Sequence, residues 1–279
     1  MTTSFEQQLE QITELISLPE VYLKIRQLID DPASDIDDFA EVIGLDPSLT
    51  AKLLQVLNSA YYGFGQTIDS IPRAVNMLGI VQIHNMVLGI SAVTALNFPN
   101  DILPLKSFWR SSLLSGSLAR ELGLQLQVRS SERLFVAGLL HEIGHLVLYT
   151  KFPELARQTI DYAAQHEVTI AEAEQQVLGC HYGEIGAKLM QQWGLADEFI
   201  NLTRYHPFPL EAKAEQTGAA LLHIAHAYAH KQFIDPTLQP QDSIDLEVWK
   251  LSGLTAERVE EALQRALQNI AEMEKVILH

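Results

Sequence analysis

The spacing of the apolar residues restricts the fold more than any other feature, because they recur every three or four positions along almost the whole chain. Leu9, Ile12 and Ile16 have this spacing, and so do Leu49 and Leu53. A period of 3.6 residues puts such positions on one face of an α-helix, whereas a half-buried strand alternates apolar and polar residues. No alternating run bounded by turn residues stands out. The sequence therefore predicts an all-α protein of many short to medium helices.

Several helix starts are marked by capping residues. Asp46-Pro47 places an acidic cap before a proline in the first turn, and Thr169 precedes Glu172 at the spacing of a capping box. Ser70 and Thr255 mark similar starts. Between the helices, clusters of turn residues interrupt the apolar period at 30–34, 63–65, 98–104, 128–131, 206–209 and 235–242.

The interruption at 98–104 holds two prolines and is the predicted boundary between two parts of one module. The first part, residues 1–100, contains only His84, whereas the second, residues 101–279, contains the other nine of the ten histidines. The segment 254–277 is a charged amphipathic helix, and we expect one apolar face to pack on the body. The same helix is a candidate surface for a partner or for a second copy of the chain in a homo-oligomer.

The charge balance limits the partners that the chain can bind. The formal net charge is −16, with hydrophobic residues at 47% and charged residues at 19%, which is typical of a folded protein. Sequence-independent binding to nucleic acid depends on basic residues that displace counterions from phosphates. No run of lysine and arginine stands out, and we expect no nucleic-acid partner.

Cysteine content and apolar patterning indicate the compartment. Cys180 is the only cysteine, so no intrachain disulfide can form, as suits a reducing environment. The N-terminus lacks the basic start and apolar core of a signal peptide. The apolar stretch 77–96 is interrupted by Gln82, His84 and Asn85, which indicates a buried helix and not a membrane span. These features predict a cytoplasmic protein without a membrane partner.

The stretch GLLHEIGHLVL contains the His-Glu-x-x-His pattern of zinc proteases. On one helix, His141 and His145 would share a face and could ligate one zinc, with Glu142 as the base. However, Gly144 weakens such a helix, and no Gly-x-x-His follows. A third ligand would have to come from Glu167, Glu172 or Glu174. A five-residue pattern with two unrestricted positions also arises easily by chance, and the wider sequence favours another interpretation.

Longer motifs are shared with a known family. The first part carries LISLPEVYLKIRQLIDDP, DFAEVIGLDPSLTAKLLQVLNSAYYG and IDSIPRAVNMLGIVQIHNMVL. The second part carries FWRSSLLSGSLARELG, FVAGLLHEIGHLVL, HYGEIGAKLMQQWGLADEFINLTRYHP and LLHIAHAYAH. Together these motifs resemble the HDOD domain, a bacterial signalling module related to the HD phosphohydrolases. The resemblance runs from about residue 15 to about residue 231, with the motifs in the family's order.

The resemblance implies an all-α, multi-helical HDOD fold, with a helical N-terminal lobe followed by an HD-like helical lobe. In active HD enzymes, a histidine, a His-Asp pair and a later aspartate bind a divalent metal, which lowers the pKa of bound water. Here Ser111 replaces the first histidine, and His226 replaces the later aspartate. The pair corresponds to His141 and Glu142, while His181 and His206 correspond to additional histidines of two-metal relatives.

These substitutions predict a degraded site. Serine is a poor ligand because its hydroxyl is neutral near pH 7, and Glu142 is one methylene longer than the aspartate it replaces. His145 stands where the family often has lysine. Imidazole and carboxylate groups still suit Zn, Ni or Fe, so the resemblance leaves open a vestigial metal site of His141, Glu142, His181, His206 and His226. The alternative is that the buried histidines only bond to neighbouring helices.

We therefore expect a non-catalytic regulatory module that requires no cofactor. It would act in signal transduction through protein–protein contacts with a signalling protein on a separate chain. The alternative is a metal-dependent phosphohydrolase acting on nucleotides or cyclic dinucleotides. Convergence of His141, Glu142, His181 and His206 on one open cleft would favour the enzyme, whereas separate hydrogen bonds would favour the regulatory module.

Overall fold

Every regular element in the described chain is a helix, as the apolar period predicts. The computed structural model describes residues 5–59, 61–96, 101–128 and 131–278, and these ranges contain no β-strand. The all-α prediction is confirmed. The first helices are α1 (Phe5–Leu15), α2 (Glu20–Asp30), α3 (Ile36–Gly44), α4 (Pro47–Leu57), α5 (Ile71–Leu78) and α6 (Ile80–Ala95). The next are α7 (Leu105–Gln125), α8 (Glu132–Leu140), α9 (Ile143–Lys151), α10 (Pro153–His166), α11 (Ile170–Leu178), α12 (Tyr182–Gln192) and α13 (Asp197–Tyr205). After a 3₁₀ turn (Pro209–Glu211) come α14 (Gln216–Phe233), α15 (Pro240–Ser243), α16 (Leu246–Ser252) and α17 (Ala256–Ile277).

The predicted capping residues mostly act as expected. The Asp46 side chain accepts from the backbone N–H groups of Ser48 and Leu49, and Thr169 and Glu172 form the reciprocal bonds of a capping box.

One predicted break is wrong in part. Residues 240–242 were expected in a loop, but they begin the short helix α15, because Pro240 at its first position already has a helical φ angle.

The chain divides into two compact units. The larger unit contains residues 1–17 and 96–263, and the smaller unit contains residues 18–95 and 264–279. The boundary predicted at residue 100 falls on residues 97–100, which lie outside the described residues. The division into 1–100 and 101–279 therefore stays a prediction.

In the smaller unit, α2 packs on α3 and α6, and α4 packs on α5 and α6. Tyr22, Phe39, Leu53 and Ile83 are fully or almost fully buried in its core. His84 stacks on Tyr22, with ring centres 5.3 Å apart. The one histidine that the sequence places among the first hundred residues is thus part of the packing.

In the larger unit, α7 packs along α8 and α14, and α12 packs on α9 and α13. Glycines permit two close backbone contacts. A Cβ atom on Gly138 of α8 would overlap the backbone of Gly116 of α7. A Cβ atom on Gly144 of α9 would overlap the carbonyl oxygen of Tyr182 and lie 2.8 Å from the Gly186 nitrogen of α12. Gly144, which on sequence grounds weakens its helix, is required here for the approach of α9 to α12.

The last helix buries the apolar face that its sequence pattern predicts. Val259, Ala262, Ala266, Ile270 and Met273 of α17 recur at three- or four-residue spacing and are all buried. The exposed part of this helix is therefore its charged face. A partner that docked on α17 would meet polar side chains.

None of the described helices is by itself both long enough and apolar enough to cross a bilayer. Taken together, α5 and α6 meet the length and composition criteria, but the two helices are bent by 118° at their junction. The apolar stretch singled out in the sequence lies mainly in α6, whose residues from Asn85 to Val93 are buried.

Candidate metal centre

His141 and Glu142 lie in a short break between two helices. α8 ends at Leu140 and α9 begins at Ile143, with Glu142 at φ −100° and ψ 11°. An unbroken helix would place His141 and His145 one turn apart on a single face. The shared face that a zinc protease requires is therefore absent from this stretch.

His141 and His226 form a hydrogen-bonded pair inside the larger unit. His141 Nδ1 donates to the carbonyl oxygen of Gly138 at 2.6 Å, because a carbonyl can only accept. A neutral His141 then offers Nε2 as an acceptor, and His226 Nδ1 lies 2.9 Å from it. The hydrogen-bond pattern assigns the proton of this contact to His226 Nδ1. The two rings are therefore joined by one hydrogen bond, with His226 as the donor and His141 as the acceptor.

Glu142 completes a group of three donor atoms with these rings. Its Oε2 lies 3.7 Å from His141 Nε2 and 3.9 Å from His226 Nδ1. His141 and Glu142 are buried, whereas the His226 side chain is 20% exposed. Within the described ranges, this is the group of histidine and acidic side chains whose potential ligand atoms converge, all within 4.8 Å of one another.

The spacing of these atoms fits a metal ion. The circle through the three atoms has a radius of about 2.1 Å, within the range of about 2.0–2.2 Å at which zinc is held by nitrogen and oxygen ligands. Two imidazoles and a carboxylate also suit Zn, Ni or Fe. Ligation would require His226 to carry its proton on Nε2. With that change, His141, Glu142 and His226 form a candidate divalent-metal site that leaves coordination positions open.

A buried ion pair lies beside the three donors. His145 Nε2 is 3.1 Å from Glu174 Oε1, and His145 Nδ1 is 3.3 Å from Glu142 Oε1. Burial lowers the pKa of His145, but the carboxylates of Glu174 and Glu142 outweigh this effect and raise that pKa to about 9. At neutral pH, His145 is therefore an imidazolium held between two carboxylates.

Burial keeps the other histidines of the cluster neutral. It lowers the pKa of His141, and it holds the pKa values of His206 and His226 well below their usual range. Burial raises the pKa of Glu142, but its interactions with His226, His145 and His141 outweigh this effect and keep that pKa well below the usual range. The cluster therefore combines neutral imidazoles with an ionised Glu142.

His206 lies beside His141, with ring centres 4.8 Å apart, but its nitrogens bond to other groups. Its Nδ1 donates to the carbonyl oxygen of Thr203 at 2.8 Å. Its Nε2 accepts from the hydroxyl of Tyr182 at 2.9 Å. Both nitrogens of His206 are thus hydrogen-bonded within the protein, and His206 is not among the three converging donors.

His181 and Ser111 also remain outside the group of three donors. His181 precedes α12, and its Nε2 is 3.8 Å from Glu184 Oε2. Ser111 is fully buried on α7, and its Oγ has no hydrogen-bond partner among the residues that the structure describes. Of the five histidine and glutamate ligands predicted from the sequence, the structure brings together His141, Glu142 and His226. His206 bonds to Tyr182 instead, and His181 lies outside the group of three donors.

Glu174 and Tyr182 also organise the cluster. Tyr182 received no role from the sequence, and Glu174 was named only as one of three possible third ligands of a zinc protease. Glu174 had a usable signal, because it shares a helical face of α11 with Ala171 and Leu178. A carboxylate on such a face needs a buried partner. The hydroxyl of Tyr182 has no comparable signal, since its partner His206 is 24 residues away in the chain.

A relative and two solved structures resemble the chain over most of its length. An uncharacterised protein of Treponema pallidum (strain Nichols) is 25% identical over 270 residues, which is 95% of this chain; the chain spans 51% of that relative. A protein from Shewanella amazonensis SB2B, named as a candidate phosphohydrolase, matches with a TM-score of 0.73 and 22% identity over 96% of each chain. A protein from Marinobacter aquaeolei VT8, named as a candidate signal transduction protein, matches with a TM-score of 0.70 and 23% identity. That match covers 100% of this chain and 62% of the other. The two structures show the same fold.

The family model of the HDOD domain matches residues 15–209. This match ends before α14, so the correspondence of His226 with the later family ligand depends on the resemblance of the motif LLHIAHAYAH alone. The matched segment nevertheless covers well over half of the chain and includes the break at His141 and Glu142. The chain therefore belongs to the HDOD domain family, which is related to the HD phosphohydrolases.

Proposed function

We propose that the chain is a signal-transduction module that works through protein–protein contacts and does not turn over phosphate esters. The main support for this proposal is that histidines predicted to bind metal form hydrogen bonds within the protein instead. His141 bonds to His226, and His206 bonds to Tyr182. Three donors converge, which is enough for one metal ion but not for the paired metals of two-metal relatives.

The charge of the cluster also disfavours a phosphate substrate. The imidazoles of His141, His206 and His226 are neutral, and the imidazolium of His145 lies between the carboxylates of Glu142 and Glu174. The cluster thus contributes one more negative than positive charge. A phosphate anion placed against it would be repelled unless a bound cation compensated.

The likeness to the Marinobacter aquaeolei protein adds support for a signalling role, and the partner is proposed to be a separate signalling protein. Capture of native partners from cell extract would identify this partner. The charged face of α17 is the first surface to mutate. Reversal of charge at Glu260 and Glu261 should release a partner bound there, whereas reversal at the exposed Glu154 should not.

The test of the catalytic part combines metal analysis with an activity screen. Protein purified without chelator is assayed for bound Zn, Ni and Fe. It is then incubated with bis(p-nitrophenyl) phosphate, nucleotides and cyclic dinucleotides in the presence of each metal. The proposal predicts no turnover in the wild type. Turnover that is lost in His141→Ala and retained in His166→Ala, which changes an exposed histidine of α10, would refute it.

A second candidate function is a metal-dependent phosphohydrolase acting on nucleotides or cyclic dinucleotides. The observation that favours it is the fit of His141, Glu142 and His226 to a single metal ion. When bound, such a metal lowers the pKa of a water molecule and offsets phosphate charge. His141 and His226 would hold it through neutral nitrogens, and Glu142 would supply the one anionic ligand. Bound metal without turnover would instead indicate a structural or sensing site.

A further inference from the structure

A cavity of about 510 Å³ lies in the larger unit and shares no residue with the metal centre. It is formed by α1, the end of α11, α12 and α13. Its volume is within the range of about 300–1,000 Å³ that is typical of sites for small molecules. The residues that line it differ in chemistry from one wall to another.

Arg204 lines this cavity and carries an unsatisfied donor. Its Nε–H is covered from solvent and has no hydrogen-bond partner among the described residues. Leaving such a donor unpaired is unfavourable, and the guanidinium geometry matches carboxylate and phosphate oxygens in a two-point contact. An anionic group in the cavity would pair with the guanidinium of Arg204.

Lys188 supplies a second cation to the same cavity. Its Nζ is 3.9 Å from Glu10 Oε1, and the Glu10 side chain is 59% exposed. A long, exposed ion pair of this kind contributes little, so Lys188 can turn to a ligand at small cost. The acidic residue in the cavity, Glu184, already accepts from the backbone N–H of His181 at 3.2 Å. Within the described part of the chain, two cations and one carboxylate therefore line the cavity, and the Glu10 carboxylate that pairs with Lys188 is not part of the lining.

The rest of the lining combines apolar side chains with Gly179, Cys180 and Gln191. Phe5 and Leu9 of α1 form one side, and Leu178 and Ile185 form another. Phe5 is held by an edge-on contact with Phe152, with ring centres 5.0 Å apart. Phe5 and Leu178 are only partly buried, so an apolar chain on the ligand would cover their exposed surface.

We propose that this cavity binds a small amphipathic anion, a carboxylate or phosphate group carried on an apolar chain. The head group lies against Arg204 and Lys188, and the apolar chain lies against Phe5 and Leu178. The site is independent of the metal centre and of the proposed lack of turnover. Binding of this anion would be an input signal to the proposed signalling module.

The chain contains its own reporter for this site. Cys180 lines the cavity and is the only cysteine of the protein. The rate at which its thiol reacts with a disulfide reagent such as DTNB therefore measures access to the cavity alone. A bound ligand should slow this reaction in the unmodified protein.

The experiment compares four probes with the same eight-carbon chain: octanoate, octyl phosphate, 1-octanol and octyltrimethylammonium. The first two distinguish a carboxylate from a phosphate source. We expect at least one of these anions to slow the modification of Cys180 several-fold and to raise the melting temperature. The alcohol and the cation should do neither at the same concentration. Equal protection by all four probes, or protection by none, would overturn the proposal.

Three substitutions locate the binding. Arg204→Gln should weaken binding of the anion about ten-fold or more, as expected for the loss of a charge-assisted hydrogen bond. Lys188→Gln should weaken it less and remains informative if the first variant does not fold. The matched control is Arg157→Gln on α10, where an exposed arginine pairs with Glu154. Unchanged affinity in both cavity variants would refute the assignment. Because no readout involves metal or turnover, failure here is separable from failure of the proposed function.

Discussion

At the scale of the residue, Tyr182 joins the two halves of the buried polar cluster. Its ring stacks on His145, with centres 3.8 Å apart, and its hydroxyl donates to His206 Nε2 at 2.9 Å. Its backbone N–H also donates to Glu174 Oε2 at 2.6 Å. One tyrosine therefore contacts the ion pair and the neutral histidines at once.

Replacing Tyr182 with phenylalanine should isolate the contribution of the hydroxyl. The ring and its stacking on His145 remain, but His206 Nε2 becomes a buried acceptor without a partner. We expect the free energy of unfolding to fall by about 1–3 kcal/mol. Urea denaturation measures this change. The matched control is Tyr162→Phe on α10, for which we expect a change within about 0.5 kcal/mol. Equal values for the two variants would contradict the hydrogen bond.

The ion pair of His145 and Glu174 makes stability fall at alkaline pH. Because the pKa of folded His145 is about 9 and its ordinary value is 6.5, the protonated ring stabilises the folded protein fully below pH 6.5. This contribution is lost as pH rises through 9. Its size is on the order of 3 kcal/mol for a shift of this extent.

The variant Glu174→Gln tests this dependence. With chelator present, the wild type should lose stability between pH 7 and pH 9.5, and the variant should start lower and change less. Glu154→Gln, which alters an exposed ion pair on α10, serves as the control and should follow the wild type. A variant whose unfolding free energy falls as steeply as that of the wild type would exclude His145 as the group responsible.

Some of the cluster could be predicted from single residues and some could not. The resemblance to the HDOD domain pointed to His141, Glu142 and His226, which converge. The same reasoning could not show that the lone pair of His206 is taken by Tyr182, because a hydrogen bond between helices leaves no local pattern. A motif predicts which residues can act as metal ligands. The partner to which a ring nitrogen points depends on residues that are distant in the sequence.

At the scale of the element, the break between α8 and α9 decides what the motif can do. Gly144 weakens a helix through Leu-Leu-His-Glu-Ile-Gly-His, but the break lies at His141 and Glu142, where no glycine or proline stands, so its position could not be predicted from local propensity. The helix starts at Asp46 and Thr169 could be predicted, because a capping residue is a local signal. The structure contains both caps. Tertiary packing, seen at Gly144 and α12, accounts for the difference.

Gly144→Ala should therefore be strongly destabilising. The added methyl group would overlap the carbonyl oxygen of Tyr182 and force α9 away from α12. Since backbone atoms cannot rotate aside, we expect a loss of about 3 kcal/mol or more in the free energy of unfolding. The control is Gly44→Ala in α3, where no atom lies within 4 Å of the added carbon and helix propensity favours alanine. A loss below about 1 kcal/mol for Gly144→Ala would contradict the close contact.

At the scale of the whole molecule, burial of many neutral histidines makes the folded chain sensitive to acid. Burial lowers the pKa values of seven of the described histidines: His84, His141, His181, His206, His223, His226 and His230. The unfolded chain binds more protons than the folded chain below pH 6.5, so stability falls as pH decreases from that value. Each histidine contributes up to about 1.4 kcal/mol per pH unit.

Together with the opposite effect of His145, this predicts greatest stability near pH 7. Urea denaturation at half-unit steps from pH 5 to pH 9.5, with chelator present, gives the profile. We expect a steep fall on the acid side that exceeds the alkaline fall, because, among the residues that the structure describes, seven histidines with lowered pKa values act against one with a raised pKa. A profile that is flat between pH 5 and pH 7 would mean that these rings are protonated in the folded protein.

The hydrogen bond between His141 and His226 spans 85 residues of chain. A ribosome adding about 5–20 residues per second needs roughly 4–17 s to pass from one to the other. Throughout that interval the nascent chain presents His141 and Glu142 without the ring that completes their group. The group of three donors is therefore complete only after α14 has been synthesised. A pause in translation before α14 would prolong the exposure of the unfinished core to chaperones and proteases.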